Sequence, residues 1–379
     1  MIPLSEPVIQ GNEWKYIKDC LDTGWVSSVG QYVDRFEKMI AEYVEAKYAI
    51  AMVNGTAGLH LSLLVSGVHA DDEVLVPTLT FIAPVNAIRY CNATPIFFDC
   101  DDTCCIDTQK VRAFLQEQCF MDSDGFTYNK YTKKRISAMI AVHIFGHPCD
   151  MDTLRELSTT YNIRLIEDAS ESLGSLYKNK KTGCLGDIGI FSFNGNKIIT
   201  TGGGGMIVTN NEEYAIHIRH LSTQAKKAGS EYDHDEIGYN YRLTNIQAAM
   251  GVAQMEKIDE YLKIKRENFE LFRSLLNSIP QVELLQEKPW AFSNCWFYTL
   301  KFSSQKKQAL LEYLISEGVQ VRPIWKLNHT LPMYEKYQKI SIERAREMYG
   351  SCINIPCSVN LTEEQIVYTV ERIKKFLII

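Results

Sequence analysis

Several absences narrow this 379-residue chain before any motif is read. It has no long run of like charges and no basic stripe, and 40 basic against 46 acidic residues leave a formal charge of −6. A nucleic acid or a membrane surface therefore finds no electrostatic partner here. No apolar run approaches the roughly 20 residues of a membrane span, and the opening MIPLSEPVIQGNEW has neither a basic n-region nor an apolar h-region, so a soluble, unprocessed protein is expected. Eleven cysteines are present without a single C-x-x-C pair. That pattern suggests neither a disulfide framework nor a four-cysteine zinc site and fits a reducing cytoplasm. Internal repeats and low-complexity linkers are also missing.

What is present suits a large packed core: 46% of residues are hydrophobic and 11% aromatic, too many for a disordered chain. After a proline-marked start, Asn12 is placed to cap a helix through Leu21 that stops at Gly24, and Gln31 to Tyr43 reads as a second helix. Strands are expected at Tyr48–Val53, Glu73–Val76, Pro95–Asp99, Ile136–Val142, Arg164–Glu167, Ile188–Phe193 and Met206–Thr209. Most are separated by helical segments such as Ala57–Ser66 and Met151–Tyr161, a rotation that predicts an α/β layered domain with a largely parallel sheet. From Thr244 to about Leu276 the spacing is helical, as in a helix connecting domains. Beyond it, strands at Trp296–Phe302 and Val319–Ile324 flank a helix at Gln305–Glu317, and a last helix runs from Glu363 to Leu377. Residues 1–250 thus read as a large α/β domain and 251–379 as a small α+β domain.

In an open α/β sheet, ligands bind beyond the carboxyl ends of the strands, and the residues at those ends converge on one chemistry. Asn54-Gly55-Thr56-Ala57-Gly58 opens a helix whose first amides suit a phosphate. Phe81 follows the second strand, where an aromatic can cover a flat ring. Glu167-Asp168 ends a buried apolar run with carboxylates, which need a partner such as a protonated ring nitrogen. Lys197 stands on an Asn/Gly turn after Ile188–Phe193, where desolvation lowers an amine's pKa and frees it to attack a carbonyl. With Ser192, these are the groups that pyridoxal phosphate requires. His143-x3-His147 has a metal-like spacing but no helix face to align it, so no metal is expected. Gly202 to Gly205 lack the G-x-G-x-x-G spacing and read as slack in a turn. Arg322, Lys326 and His329 are cationic residues in the small domain that a diphosphate or carboxylate would meet, although each alone reads as solvated surface.

Together, GNEWKYIKDCLDTGWVSSVG (Gly11–Gly30), VNGTAGLH, PTLTFIAPVNAI, IEDASESLGS, FSFNGNKIITTGGGGM and GYNYRLTNIQAAMG (Gly238–Gly251) give the chain a resemblance. Over nearly its whole length it resembles the pyridoxal-phosphate-dependent sugar aminotransferases of the DegT/DnrJ/StrS type, which have the aspartate-aminotransferase fold (PLP fold type I). The resemblance implies a large domain with a mostly parallel seven-stranded sheet and a smaller C-terminal domain. It implies that Lys197 bonds to the cofactor aldehyde, Asp168 pairs with the pyridinium nitrogen and Phe81 lies on the ring. Thr56, Ala57 and Ser192 then hold the phosphate, and Asn240 reaches the phosphate of a neighbouring subunit, so a homodimer with shared active sites follows. Trp25 and Ser28, in the first motif, are implied as substrate contacts. One departure stands out: many relatives have glutamine or histidine three residues after the pyridinium aspartate, and this chain has Glu171. Glutamate there is similar to the subgroup that aminates nucleotide-linked 4-keto-6-deoxy-N-acetylhexosamines, as in the legionaminic acid route.

The expected activity is a two-step transamination, from an amino acid such as L-glutamate to C4 of a UDP- or GDP-linked keto sugar, in surface glycan or nonulosonic acid synthesis. Family members that dehydrate the sugar carry histidine in place of Lys197. Amination at C3 would use the same cofactor residues. A nonenzymatic regulator of this fold would not need lysine, aspartate and serine together, and a nicotinamide oxidoreductase would need the missing glycine fingerprint.

Overall fold

The computed structural model of the chain describes residues 1–229 and 231–378. At its centre lies an eight-stranded sheet in the order Tyr48–Met52, Gly205–Thr209, Ile188–Ser192, Arg164–Asp168, Ile136–Val142, Glu73–Pro77, Thr94–Phe98 and Lys339–Ile340. The Gly205–Thr209 strand runs antiparallel to both of its neighbours, and every other pairing in the sheet is parallel. Val74, Leu75, Val76, Ile140, Leu165, Ile166 and Ile190 are all buried, as expected of parallel strands covered on both faces. The seven strands expected from alternation and apolar runs are all in this sheet. The eighth, Lys339–Ile340, adds to the seven-stranded sheet that was expected. It is a two-residue edge strand from the C-terminal third, too short to show a period.

A second sheet has four antiparallel strands in the order Val282–Leu284, Tyr298–Phe302, Cys352–Ile355 and Arg322–Pro323. Here the local reading needs correcting. Trp296 and Phe297 precede the strand because Cys295 has a left-handed backbone (φ +52°) that turns the chain. Of Val319–Ile324 only Arg322–Pro323 pairs within the sheet, while Val319 bridges to Ile2. The chain's first residues are thereby tied to its C-terminal third.

The long helix expected from Thr244 to Leu276 is two helices, Asn245–Met255 and Ile258–Leu276. The break falls at Glu256, whose carboxylate accepts from Asn12 Nδ2 and Tyr16 Oη, both at 2.7 Å, and from Arg35 at 2.9 Å. Anchored there, the chain changes direction toward the small sheet. Asn12 is therefore not the cap expected of it: its side chain makes no bond to the Glu13–Thr23 helix. Gly24 does end that helix, at φ +75°. All eleven cysteines are free, and among the described residues no helix is long and apolar enough to cross a membrane.

Gly205 sits where the antiparallel strand meets the start of the Gly55–Val65 helix. A Cβ there would lie 2.6 Å from the Asn54 carbonyl carbon, which is backbone and cannot swing away. Gly205→Ala is expected to force strand and helix apart at about 1–3 kcal/mol, lowering the thermal midpoint by about 1–4 °C. Scanning calorimetry checks this, and an unchanged midpoint would mean that the helix start yields freely.

Candidate active site

The parallel direction of the sheet brings the carboxyl ends of Tyr48–Met52, Arg164–Asp168 and Ile188–Ser192 to one edge. Register aligns them further: Met52 and Ser192 both pair with Gly205, and Ile190 pairs with Asp168. A cavity of about 270 Å³ opens at that edge, and Thr56, Phe81, Asp168, Glu171, Ser192 and Lys197 all line it.

The two carboxylates that end the Arg164–Asp168 strand differ in how they are satisfied. Glu167 is completely buried and accepts from the backbone N–H groups of Gly183 (2.8 Å), Leu185 and Gly186 (2.5 Å each). It also meets His143 Nε2 at 2.9 Å. Because His143 Nδ1 accepts from the Cys149 N–H at 3.0 Å, the ring carries its proton on Nε2 and donates to Glu167. Asp168, one residue on, is equally deep, yet among the described residues only Ser170 donates to it, through its N–H at 3.1 Å. Burial pushes the Asp168 pKa up, and the bonds from Ser170 and the charge of Lys197 partly oppose that. Glu167 is thus a structural carboxylate, while Asp168 has capacity for a further donor from the cavity.

Lys197 lies on the turn after Ile188–Ser192, with its N–H on the Asn194 carbonyl at 3.0 Å. Burial lowers its pKa, against the pull of Glu171 and Asp168. Its Nζ is 3.9 Å from Glu171 Oε1. Glu171 Oε2 accepts the Phe145 N–H at 2.7 Å, and burial, partly offset by Lys197, pushes this carboxyl up to about 7. Both shifts favour the neutral forms, because burial penalises each charge more than the other charge repays it.

At the other end of the cavity, Asn54 caps the Gly55–Val65 helix, its Oδ1 taking the Ala57 N–H at 2.8 Å. Ala57 is buried, lies outside the lining, and has its amide engaged. The first-turn amides of Gly55 and Thr56 lie at the open helix end, where no intrahelical acceptor exists. Ser170 and Ser192 crowd Gly55 so closely that a Cβ there would be 3.3 Å from Ser170 Oγ and 3.2 Å from Ser192 Cβ. Helix amides with hydroxyls beside them make an anion cradle. An anion cradle, a carboxylate awaiting a donor, and a desolvated lysine between them fit pyridoxal phosphate. A buried Trp325 Nε1 that has no hydrogen-bond partner among the described residues also borders the cavity, near enough to Glu171 to favour its ionised form.

Phe81 is half-exposed at the mouth, 5.2 Å from the Trp325 ring at 61°. Its loop is held by the C-terminal third of the chain: Asn328 Nδ2 donates to the Thr80 carbonyl at 2.8 Å, and His329 Nδ1 meets Thr78 Oγ1 at 2.6 Å. His329 is therefore buried, contrary to the solvated-surface reading, and burial pulls its pKa down to about 4. Arg322 and Lys326 are exposed. Trp25 (exposed), Ser28 (half-buried) and Asn240 (exposed) lie outside the cavity lining. Asn240 ends a loop that closes on Thr223. His147 is buried, with Nε2 accepting the Lys288 N–H at 3.1 Å and Nδ1 donating to the Pro148 carbonyl at 2.8 Å. The sequence reading missed Ser170, Asn196, Trp296 and Trp325 as lining residues. Ser170 and Asn196 each adjoin a motif residue that was singled out, but Trp296 and Trp325 reach the cavity only through the fold.

A family model described as the DegT/DnrJ/EryC1/StrS aminotransferase family matches residues 7–374. A protein of Escherichia coli O157:H7 named GDP-perosamine synthase is 41% identical over 99% of this chain and 98% of its own length. A Campylobacter jejuni protein named UDP-4-amino-4,6-dideoxy-N-acetyl-beta-L-altrosamine transaminase is 32% identical over 93% of this chain and 91% of its own. Among solved structures, Helicobacter pylori PseC, an aminotransferase, superposes with a TM-score of 0.90 at 23% identity, covering 99% of this chain and 98% of the other. That superposition shows that the fold is shared.

The Glu171 environment has a consequence for stability. A carboxyl whose pKa rises on folding stabilises the native state while protonated, fully below its unfolded value near 4.5, and that contribution is lost as pH climbs through about 7. Glu171→Gln removes the titration. The cofactor-free variant is expected to gain about 2–4 °C in thermal midpoint relative to wild type between pH 5 and pH 8, measured by scanning fluorimetry. Parallel pH curves for the two proteins would refute the assignment.

Proposed function

The chain belongs to the DegT/DnrJ/EryC1/StrS aminotransferase family, and from that premise we propose that it uses pyridoxal phosphate to aminate C4 of a nucleotide-linked 4-keto-6-deoxy sugar. A GDP-linked hexose is the foremost substrate and L-glutamate the amine donor. The observation that carries this reading is the convergence of Lys197, Asp168 and the Gly55–Val65 helix start on one cavity. The GDP preference rests on the relative named GDP-perosamine synthase, which is similar from end to end. A UDP-linked N-acetylated sugar is the second reading, favoured by the more distant altrosamine transaminase and by glutamate at position 171.

Each side chain has a task suited to its surroundings. Bound in the cavity, pyridoxal phosphate supplies an electron sink for the carbon that loses its proton. The Lys197 Nζ anchors the cofactor covalently. As a free amine of lowered pKa it would be suited to take a proton from the amino acid's α-carbon and to return one in the second half of the transfer. Asp168 Oδ keeps the ring nitrogen protonated, a role that its unmet hydrogen-bonding capacity suits. The amides of Gly55 and Thr56, with the Thr56 and Ser192 hydroxyls, would hold the phosphate, and Phe81 at the cavity mouth would supply an aromatic surface for the ring. Glu171, with Oε1 3.9 Å from Nζ, balances the charge of Lys197 when the amine is protonated. The working unit in this reading is a homodimer in which Asn240 of the partner subunit completes the phosphate site. Its exposed place on a loop outside its own cavity supports that arrangement.

Purified protein given pyridoxal phosphate is expected to develop a visible absorbance band that Lys197→Ala abolishes along with turnover. No band in the wild type would end the enzyme reading. Asp168→Asn is expected to keep the cofactor and lose about 10²-fold or more in kcat, and unchanged kcat would remove the ring-nitrogen role. Incubation with glutamate and GDP- or UDP-linked 4-keto and 3-keto sugars, with the product identified by mass spectrometry and NMR, decides the substrate. Amine at C3, or turnover of the UDP-linked sugar alone, would overturn the GDP/C4 proposal.

A further inference from the structure

Trp296 reaches the cavity from outside the strand ends that build it. The indole is fully buried, and its Nε1 donates to the Asn196 carbonyl at 2.7 Å, on the residue before Lys197. The Lys197 Nζ stands 3.8 Å from its ring centroid, well within cation–π range.

The ring is held in turn from its own backbone. The Trp296 N–H donates to Asn294 Oδ1 at 2.9 Å, and Asn294 Nδ2 donates to the carbonyls of Glu171 and Leu173, both at 3.0 Å. Asn294 is completely buried, with its own N–H on Ser175 Oγ at 2.9 Å. Gly146 makes room for this residue, since a Cβ there would stand 1.9 Å from Asn294 Oδ1. The segment Asn294–Trp296 therefore straps the backbone after Asp168 to the turn carrying Lys197, the two pieces whose relative position decides the chemistry.

We propose that Trp296 is the positioning residue for Lys197: its N–H fixes the Asn196–Lys197 turn, and its ring face receives Nζ while the amine is protonated and not bonded to the cofactor. This rests on the reading that Lys197 is the acting amine. Three groups face Nζ, namely the carboxylates of Glu171 and Asp168 and the indole of Trp296. Glu171 turns only Oε1 toward Nζ, at 3.9 Å, because Oε2 is on the Phe145 N–H, and Asp168 is reserved in this reading for the ring nitrogen. The indole offers the cation a site that consumes neither. An aromatic face favours the charged amine, so its loss moves the amine's titration downward.

The test is the rate at which full-length, cofactor-free protein captures pyridoxal phosphate, followed by absorbance across pH, for wild type, Trp296→Phe and Trp296→Leu. The pH midpoint of capture reports protonation of Nζ, and the rate at high pH reports how well the turn is placed. Trp296→Phe keeps a face and loses the N–H, so its midpoint should stay while the plateau rate falls severalfold. Trp296→Leu loses both, and its midpoint should also fall by about half a pH unit to one unit. Wild-type midpoint and plateau in a folded Trp296→Leu would overturn the proposal. If that variant does not fold, a wild-type plateau in Trp296→Phe overturns the anchoring role. A band that persists in Lys197→Ala would instead defeat the parent reading.

Discussion

Seven of the eight central strands run in one direction, and most of what this molecule does follows from that constraint. Parallel neighbours cannot be joined by a tight turn and need crossovers, and the shared strand direction collects the residues after Met52, Pro77, Asp168 and Ser192 at a single edge. One antiparallel strand, Gly205–Thr209, lies among them and brings its glycine against the Asn54 backbone. The cavity is the space left where those loops part. Burial there is what perturbs the ionisable groups, because a low-dielectric wall penalises every charge that is not matched.

Neighbouring residues respond to that penalty in different ways. Glu167 meets it internally, with three amides and a histidine, and so pins the Gly183–Gly186 loop. Asp168 and Lys197 meet it incompletely, and in the proposed function the unmet part is left to the protonated ring and the aldehyde of the cofactor. Glu171 lies between these cases, with one oxygen on the Phe145 amide and the other facing Nζ. Phe145 adopts φ +55°, a left-handed conformation that costs a non-glycine residue roughly 1 kcal/mol or more. The turn that aims its amide at Glu171 is therefore one that the surrounding structure must hold in place.

The C-terminal third completes the site as well as lying beside it. Asn328 and His329 grip the loop that carries Phe81, Asn294 grips the backbone of Glu171, and Trp296 grips Asn196. These bonds link residues more than a hundred positions apart in most cases, and no local pattern announces them. The sequence reading placed seven of the eight central strands within a residue of their ends, because buried strands are continuous apolar runs that read without context, and it missed the two-residue edge strand Lys339–Ile340. It missed the break at Glu256, whose cause is a triad of partners on the first two helices, and it placed His329 on the surface because a histidine among polar neighbours looks solvated until Thr78 is brought against it.

By itself the sequence determined the strand order along the chain, the lysine, the aspartate and the helix start that face one another, and the kinship that names their chemistry. Those properties are local, written in runs of a few residues whose spacing and polarity are enough. The tertiary structure alone decided that Glu167 is a structural carboxylate while Asp168 is open to a ligand, that the Ala57 amide is engaged, and that two tryptophans from the far third of the chain line the cavity, one of them against Lys197. Each of these depends on which distant group fills a buried atom's last hydrogen-bonding or packing position, and only the folded chain supplies that group.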